Sequence, residues 1–427
     1  MHHFYKKNGS LFCEQLKLDN LAEKYGTPLY VYSANTFREH YNKLNDTLAP
    51  LNPMICFAMK ANSNLAVLRT LAKEGAGFDI VSGGELFRVL KAGGKAGKCV
   101  FAGVGKTDEE IAYALKEGIY AFHVESYPEL EQINRVALKL KKVAPIAARV
   151  NPNVDADTHH KITTGTYENK FGIPFEEIPA FYAKASRLAG IKLRGVQVHI
   201  GSQITSVKPF AAAAKKMLPL VRTLKAKYGI EYFGMGGGLG IVYDPALESG
   251  SAAWWNKQKN PPLTPASYAK AIVPILKPLG LKVLLEPGRF ISGNAGVLLA
   301  EVVHVKKTAK KNFVIVDAAM NDLIRPAFYE SYHQIEPLTA KSGKAISSDV
   351  VGPICESGDT FCKNRPLPPL KAGDRVAFLS AGAYGFVMSS QYNSRPRAAE
   401  LLVDGRKVVV ARKRETLDDL IRGERAS

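Results

Sequence analysis

The sequence predicts an α/β protein: a (β/α)8 barrel joined to a mostly antiparallel β-barrel or sandwich domain. Two observations carry this. Between residues 55 and 285, eight short apolar runs rich in β-branched residues alternate with helix-spaced segments, the count and order of a TIM-type barrel. Beyond residue 289 apolar alternation with Gly and Pro breaks takes over, as in antiparallel sheet. A doubly wound open sheet is the competing arrangement for the first part.

The eight runs are Ile55–Met59, Phe78–Val81, Cys99–Ala102, Ala121–Val124, Pro145–Val150, Gly195–Ile200, Tyr232–Met235 and Lys282–Leu285. Helical spacing appears between them in Leu65–Leu71, Glu85–Leu90, Glu109–Leu115, Glu129–Leu140, Ile178–Leu188 and Phe210–Tyr228. After the barrel, strands are expected at Val297–Val305, Phe313–Val316, Arg375–Leu379, Leu401–Val403 and Val408–Val410. Pro28–Tyr32 reads as one more strand joining them, so the second domain is discontinuous: 1–35 with 290–427, around a barrel at 36–289. The connection Tyr243–Pro265, with Trp254 and Trp255, is long and polar, and the sequence assigns it no function.

A barrel carries its chemistry at the carboxyl ends of its strands, which share one mouth. Those ends are Lys60, Asp79, Asn151, His199, the Gly236-Gly237-Gly238 run, Glu286, Gly288 and Arg289. Lys60 closes the first run. An ammonium in a closed pocket there loses its proton through desolvation and becomes an amine able to form a Schiff base; a side chain that snorkels outward is the alternative reading. The glycines after the seventh run let backbone N–H groups approach an anion, and barrels often hold phosphate after strands seven and eight. Gly201-Ser202 and Gly288-Arg289 add donors to the same rim. Glu286 is costly to bury without a cationic partner, either a structural ion pair or a protonated pyridine nitrogen. A Schiff-base lysine, a phosphate rim and that carboxylate together fit pyridoxal 5'-phosphate.

Nine blocks then carry a resemblance: Phe57–Asn62, Gly77–Leu86, Glu168–Ile173, His199–Gln203, Met235–Ile241, Glu286–Arg289, Asp322–Tyr329, Gly352–Asp359 and Gly382–Phe386. In these the chain resembles the diaminopimelate decarboxylases, over nearly its full length. The resemblance implies that Lys60 carries the cofactor and assists proton movement, that His199 lies against its ring, and that Asp79 positions the groups around it. Ser202, Gly238, the backbone of Glu286, Pro287, Gly288 and Arg289, and Tyr384 would hold the phosphate, while Glu286 keeps the ring nitrogen protonated. Arg289, Arg325, Tyr329 and Tyr384 would meet the substrate, the arginines gripping its distal carboxylate. Glu356 would accept the distal ammonium and Cys355 would control the proton delivered to the carbanion, both reaching the site from the partner subunit of a homodimer. The implied reaction is decarboxylation of meso-2,6-diaminopimelate at its D-centre to L-lysine, the last step of lysine biosynthesis.

Two alternatives stay open: a related decarboxylase of ornithine, arginine, lysine or carboxynorspermidine, and a non-catalytic pyridoxal-phosphate-binding homologue. The Arg289/Arg325 pair and Glu356 argue against the first, since a purely cationic substrate tail repels two arginines. Structural readings also stand beside the functional ones: a packed thiol for Cys355, a surface helix pair for Arg325 and Tyr329, a satisfied core histidine for His199.

Composition narrows the class further. The net charge of +19 is spread over helix faces such as Lys215-Lys216 and Lys225/Lys227, which argues against a nucleic-acid stripe and for solubility with steering of anions. No apolar run reaches the length of a membrane span, and no apolar h-region follows His2, His3, Lys6 and Lys7. Cys13, Cys56, Cys99, Cys355 and Cys362 are odd in number and lack paired metal spacing, which suits reduced thiols in a cytoplasmic protein with no metal.

Overall fold

The structure is a computed structural model that describes residues 1–154 and 170–426. It divides into two compact units, one of residues 38–241 and 262–291, the other of residues 1–37, 242–261 and 292–427.

The first unit is the expected barrel. Its strands are Met54–Ala58, Gly77–Ile80, Cys99–Phe101, Ala121–Val124, Ala144–Asn151, Ile191–Val198, Tyr232–Gly234 and Lys282–Leu285. Every neighbouring pair is parallel. The ring closes because Leu284 pairs with Met54 while Phe122 pairs with Ile146. An added short strand, Ile173–Pro174, lies along the fifth. Cys56, Val100, Ala121, Ala147, Tyr232 and Leu284 form one buried cluster, a filled barrel core of the usual kind. Asn64, Ser82, Thr107 and Ser126 each accept a backbone N–H at the start of the following helix, so four strand-to-helix turns at the mouth are fixed by side-chain caps. The helix Pro265–Leu276, capped by Thr264, lies outside the sequence expectation; its start is masked by the proline-rich polar stretch before it.

The second unit is built on one long strand, Gly296–Lys307. Its first residues pair with Leu29–Ser33 and with Arg375–Phe378, and its last residues pair with Asn312–Val316. Leu29–Ser33 is the expected amino-terminal strand, and Ala399–Asp404 runs parallel to it on the other side. The parallel pair of Asn312–Val316 with Ile346–Val351 is a second exception in a mostly antiparallel sheet. Ile335–Pro337, Ile346–Val351 and Thr360–Leu367 are further strands that the sequence does not announce: the first is three residues long, and the other two mix Ser, Asp, Lys and Asn among their apolar residues. The segment 242–261 belongs to this unit, not to the barrel span in which the sequence placed it. Ala246 is buried with Leu11, Leu338 and Leu379, and the amides of Ala246 and Leu247 donate to Gln334 Oε1 at 2.6 and 3.2 Å. No helix among the described residues is long and apolar enough to cross a membrane.

Glu14 ties the amino-terminal hairpin to this sheet. Its buried carboxylate accepts from Ser33 Oγ at 2.7 Å, from the Asn35 amide N–H at 3.0 Å and side chain at 2.8 Å, and from the Gly405 N–H. Removing one acceptor strands several donors, which costs more than any one bond is worth. Glu14→Leu should lower stability by about 2 kcal/mol or more, with Glu14→Gln milder, measured by urea unfolding.

Candidate active site

The first barrel strand ends at Ala58, and one 3-10 turn, Met59–Ala61, carries Lys60 just beyond it. Lys60 is therefore not sealed in an apolar pocket, as the sequence suggested. Its side chain is 42% exposed and Nζ lies 3.2 Å from Oδ2 of Asp79, which is 1% exposed at the second strand. The reason is geometric: the turn lifts the lysine to the rim, where the inward carboxylate of the neighbouring strand meets it. The other oxygen, Asp79 Oδ1, is buried without a hydrogen-bond partner.

Glu286 follows the eighth strand and is buried. Gln197 Nε2 donates to its Oε2 at 2.8 Å, whereas Oε1 makes no hydrogen bond. Burial pushes the carboxyl up to about 8, and the negative charge of Asp79 adds to this; Lys60, Arg149 and the Gln197 bond oppose it. His123 Nδ1 stands 3.4 Å from Oε1, and Nε2 lies 3.1 Å from the Tyr232 hydroxyl. Burial, then Lys106, Arg149 and Lys60, push His123 down to about 3. The contact is therefore a neutral imidazole beside a carboxyl rather than an ion pair. The sequence reading missed His123; its one available signal was a polar residue inside an otherwise apolar strand. It also missed the buried pair of Arg149 Nη1 with Glu125 Oε1 at 3.1 Å, whose second oxygen accepts the Gly172 N–H at 3.0 Å.

The rim glycines do two jobs. A side chain at Gly237 would run into the Glu286 carbonyl oxygen, and one at Gly238, where φ is +97°, would stand 2.5 Å from the Gly201 carbonyl oxygen. Only glycine permits strands six, seven and eight to bring their ends this close. The Gly237 N–H donates to His199 Nδ1 at 3.1 Å, so the proton of the neutral ring sits on Nε2. Burial, with Arg149 and Lys60, pushes His199 well below its ordinary value, which keeps it neutral. The Gly238 carbonyl accepts the Ile204 N–H at 2.9 Å, and Gln203 exchanges two hydrogen bonds with the Ile241 backbone at 2.7 and 3.2 Å. Arg289 Nη2 donates to Ser202 Oγ at 3.2 Å. The Pro287 carbonyl accepts the Ala58 N–H at 3.1 Å, which joins the eighth strand's end to the first. Asn151 is spent on its own loop, accepting the Asn153 N–H at 3.0 Å.

These residues fit pyridoxal phosphate. The unpartnered Glu286 oxygen is the acceptor a protonated ring nitrogen needs. Lys60 supplies the primary amine, His199 a neutral planar ring, and the Ser202, Gly238 and Arg289 rim a set of donors for phosphate.

In the other unit, Arg325 opens the short helix Arg325–Tyr329 and is 5% exposed, which removes the surface-pair reading for it; Tyr329 is partly exposed against Phe328. Cys355 and Glu356 are exposed on one loop, so Cys355 is not a packed thiol, while Cys13, Cys56, Cys99 and Cys362 are buried. The buried Asp359 shapes that loop by accepting the Ile354 N–H at 2.8 Å and the Met320 N–H at 2.7 Å, and Asn393 Oδ1 accepts the Cys355 N–H at 3.0 Å. Tyr384 is partly buried with φ of +56°. Glu168 and Asn169 lie outside the described residues.

Comparison with known proteins agrees. Residues 34–293 match the family described as pyridoxal-dependent decarboxylase, pyridoxal binding domain. The chain is 48% identical to the diaminopimelate decarboxylase of Vibrio cholerae over 97% of each chain. It is 48% identical to that of Pseudomonas aeruginosa over 99% of each. The crystal structure of diaminopimelate decarboxylase from Helicobacter pylori complexed with L-lysine is similar at 40% identity with a TM-score of 0.88, covering 95% of this chain and 98% of that one.

The Glu286 environment sets a pH dependence. The folded protein stripped of cofactor keeps this proton up to about pH 8, whereas an unfolded chain releases it near 4.5. The stripped protein therefore loses stability as pH rises between those values. Glu286→Gln should unfold at a higher temperature than the parent at pH 8.5, and at the same temperature near pH 4.5. Scanning calorimetry of the two stripped proteins checks both.

Proposed function

This chain belongs to the diaminopimelate decarboxylases, a pyridoxal-dependent family, and on that premise we propose how its residues share the conversion of meso-diaminopimelate to L-lysine and carbon dioxide. The observation that carries the reading is the barrel mouth itself, where Lys60 pairs with Asp79 and the charges of both act on a buried Glu286 with one oxygen left unpartnered. When bound there, pyridoxal phosphate supplies an electron sink for the pair left on the substrate carbon as carbon dioxide departs.

The chain's own residues do the rest. Lys60 Nζ would hold the cofactor and, as a free amine, could carry a proton; Asp79 Oδ2, 3.2 Å away, fixes where that amine sits. Glu286, whose Oε1 makes no hydrogen bond, would hold a proton at the ring nitrogen, and Gln197 fixes the carboxyl plane by binding Oε2. His199, its Nδ1 tied to the Gly237 N–H, would lie against the ring in a fixed orientation. Ser202, Gly238 and the turn Glu286 to Arg289 hold the phosphate, with Tyr384 completing that end. Arg289, Arg325 and Tyr329 bind the carboxylate that survives the reaction, and Glu356 takes the distal ammonium. Cys355 controls the proton that replaces carbon dioxide at the D-centre, which balances the reaction as one proton consumed per carbon dioxide released. Exposure of Cys355 and Glu356 on a loop pinned by Asp359 supports their delivery to a second copy, in a homodimer with shared sites. Five free cysteines support a reducing, cytoplasmic setting.

Purified protein with pyridoxal phosphate should release carbon dioxide from meso-diaminopimelate and leave L-lysine; release from L-lysine or L-ornithine instead would favour the related basic-amino-acid decarboxylases. Lys60→Ala should lose the bound-cofactor absorbance and lower turnover by about a thousandfold or more. Glu356→Gln should raise KM far more than it weakens cofactor binding, as read from parallel titrations. Inactive Lys60→Ala and Cys355→Ala chains, mixed and allowed to exchange subunits, should recover partial activity. No recovery after confirmed exchange would mean self-contained sites.

A further inference from the structure

Arg325 is held in place before any ligand arrives. Its Nη1 lies 2.8 Å from His333 Nε2, and its Nη2 donates to Ser331 Oγ at 3.1 Å. The Tyr243 ring underlies the guanidinium, 5.0 Å from Cζ, and meets the His333 ring edge-on at 5.7 Å. The backbone is fixed too: Tyr30, from the strand Leu29–Ser33, donates its hydroxyl to the Asp322 carbonyl at 2.6 Å just before the helix.

The tautomer of His333 follows from its partners. Nδ1 lies 2.8 Å from the Leu379 carbonyl oxygen, which only accepts, so Nδ1 bears the hydrogen. Nε2 faces a guanidinium, which only donates, so Nε2 offers its lone pair. A doubly protonated ring would set N–H against N–H. His333 is 1% exposed, Arg365 donates to its backbone carbonyl, and the next residue's carbonyl accepts the Leu379 N–H at 2.8 Å. The imidazole has nowhere to swing.

We propose that His333 is the positioning residue for Arg325, a neutral acceptor that fixes the guanidinium fork without itself cancelling the positive charge that meets the carboxylate of substrate and product. A carboxylate in this place would anchor the fork equally well but would cancel the charge the ligand needs. A neutral imidazole separates the two tasks, in the way a group behind a binding residue sets its orientation. The same geometry gives the 243–265 connection a task, because Tyr243 supplies the face on which the guanidinium and His333 meet. The proposal rests on the assignment of Arg325 to the ligand's carboxylate.

The test compares two ligands on the holoenzyme by calorimetry: L-lysine, which keeps that carboxylate, and cadaverine, which lacks it. His333→Ala should weaken L-lysine binding about tenfold and leave cadaverine within twofold. His333→Asn, whose amide offers one donor and one acceptor, should recover most of the loss. The double variant with Arg325→Ala should bind L-lysine no more weakly than Arg325→Ala alone. Full L-lysine affinity in His333→Ala, with Arg325→Ala impaired, would overturn the role of His333 alone. Full affinity in Arg325→Ala would overturn the carboxylate assignment and the proposal with it. Should His333→Ala not fold, 15N resonances of the His333 ring in the unmutated protein decide: a hydrogen on Nδ1 supports the proposal and a hydrogen on Nε2 overturns it.

Discussion

A carboxyl group kept out of water at the mouth of a parallel barrel governs the rest of the site. Glu286 enters that position because the eighth strand ends there, and the ends of strands six and seven close over it. The closure demands glycine at 237, whose hypothetical side chain collides with the Glu286 carbonyl. It also demands neutral or polar neighbours: Gln197 satisfies one oxygen, and His123 stays uncharged beside the other. Burial, reinforced by the charge of Asp79 and opposed by Lys60, Arg149 and the Gln197 bond, raises the carboxyl to about 8. A cationic ring nitrogen reverses that balance, since an ion pair formed in a dry site is worth far more than one in water. The cost of burying Glu286 in the empty protein becomes a source of selectivity for the cofactor.

The second unit meets a related problem by different means. Arg325 is a buried cation, and the groups that hold it include a neutral imidazole, a serine hydroxyl and a tyrosine face. Uncharged groups orient both side chains: Gln197 holds Glu286, and His333 with Ser331 holds Arg325. Lys60 differs, since Asp79 already pairs with it at the rim.

Much of this was legible in the sequence, and the failures have physical causes. The eight barrel strands were readable because parallel strands are buried on both faces and become short, nearly continuous apolar runs. Strands such as Ile346–Val351 and Thr360–Leu367 escaped because half-exposed pairs carry Ser, Lys and Asn. The segment 242–261 looked like a barrel insertion since it sits between strands seven and eight in sequence; only packing reveals that Ala246 belongs with Leu11 and Leu379. Lys60 was placed at the correct strand end, but the 3-10 turn that exposes it leaves no mark in composition. His123 and His333 were passed over for one shared reason. A single histidine has no spacing pattern, and its task depends on which carbonyl or guanidinium faces each ring nitrogen.

The most direct measurement is the 15N resonance of the cofactor's ring nitrogen in the holoenzyme, followed from pH 6 to 9. The account predicts a protonated nitrogen throughout that range, lost when Glu286 is replaced by Gln. An unprotonated nitrogen in the unmutated protein, or one unaffected by Glu286→Gln, would contradict it.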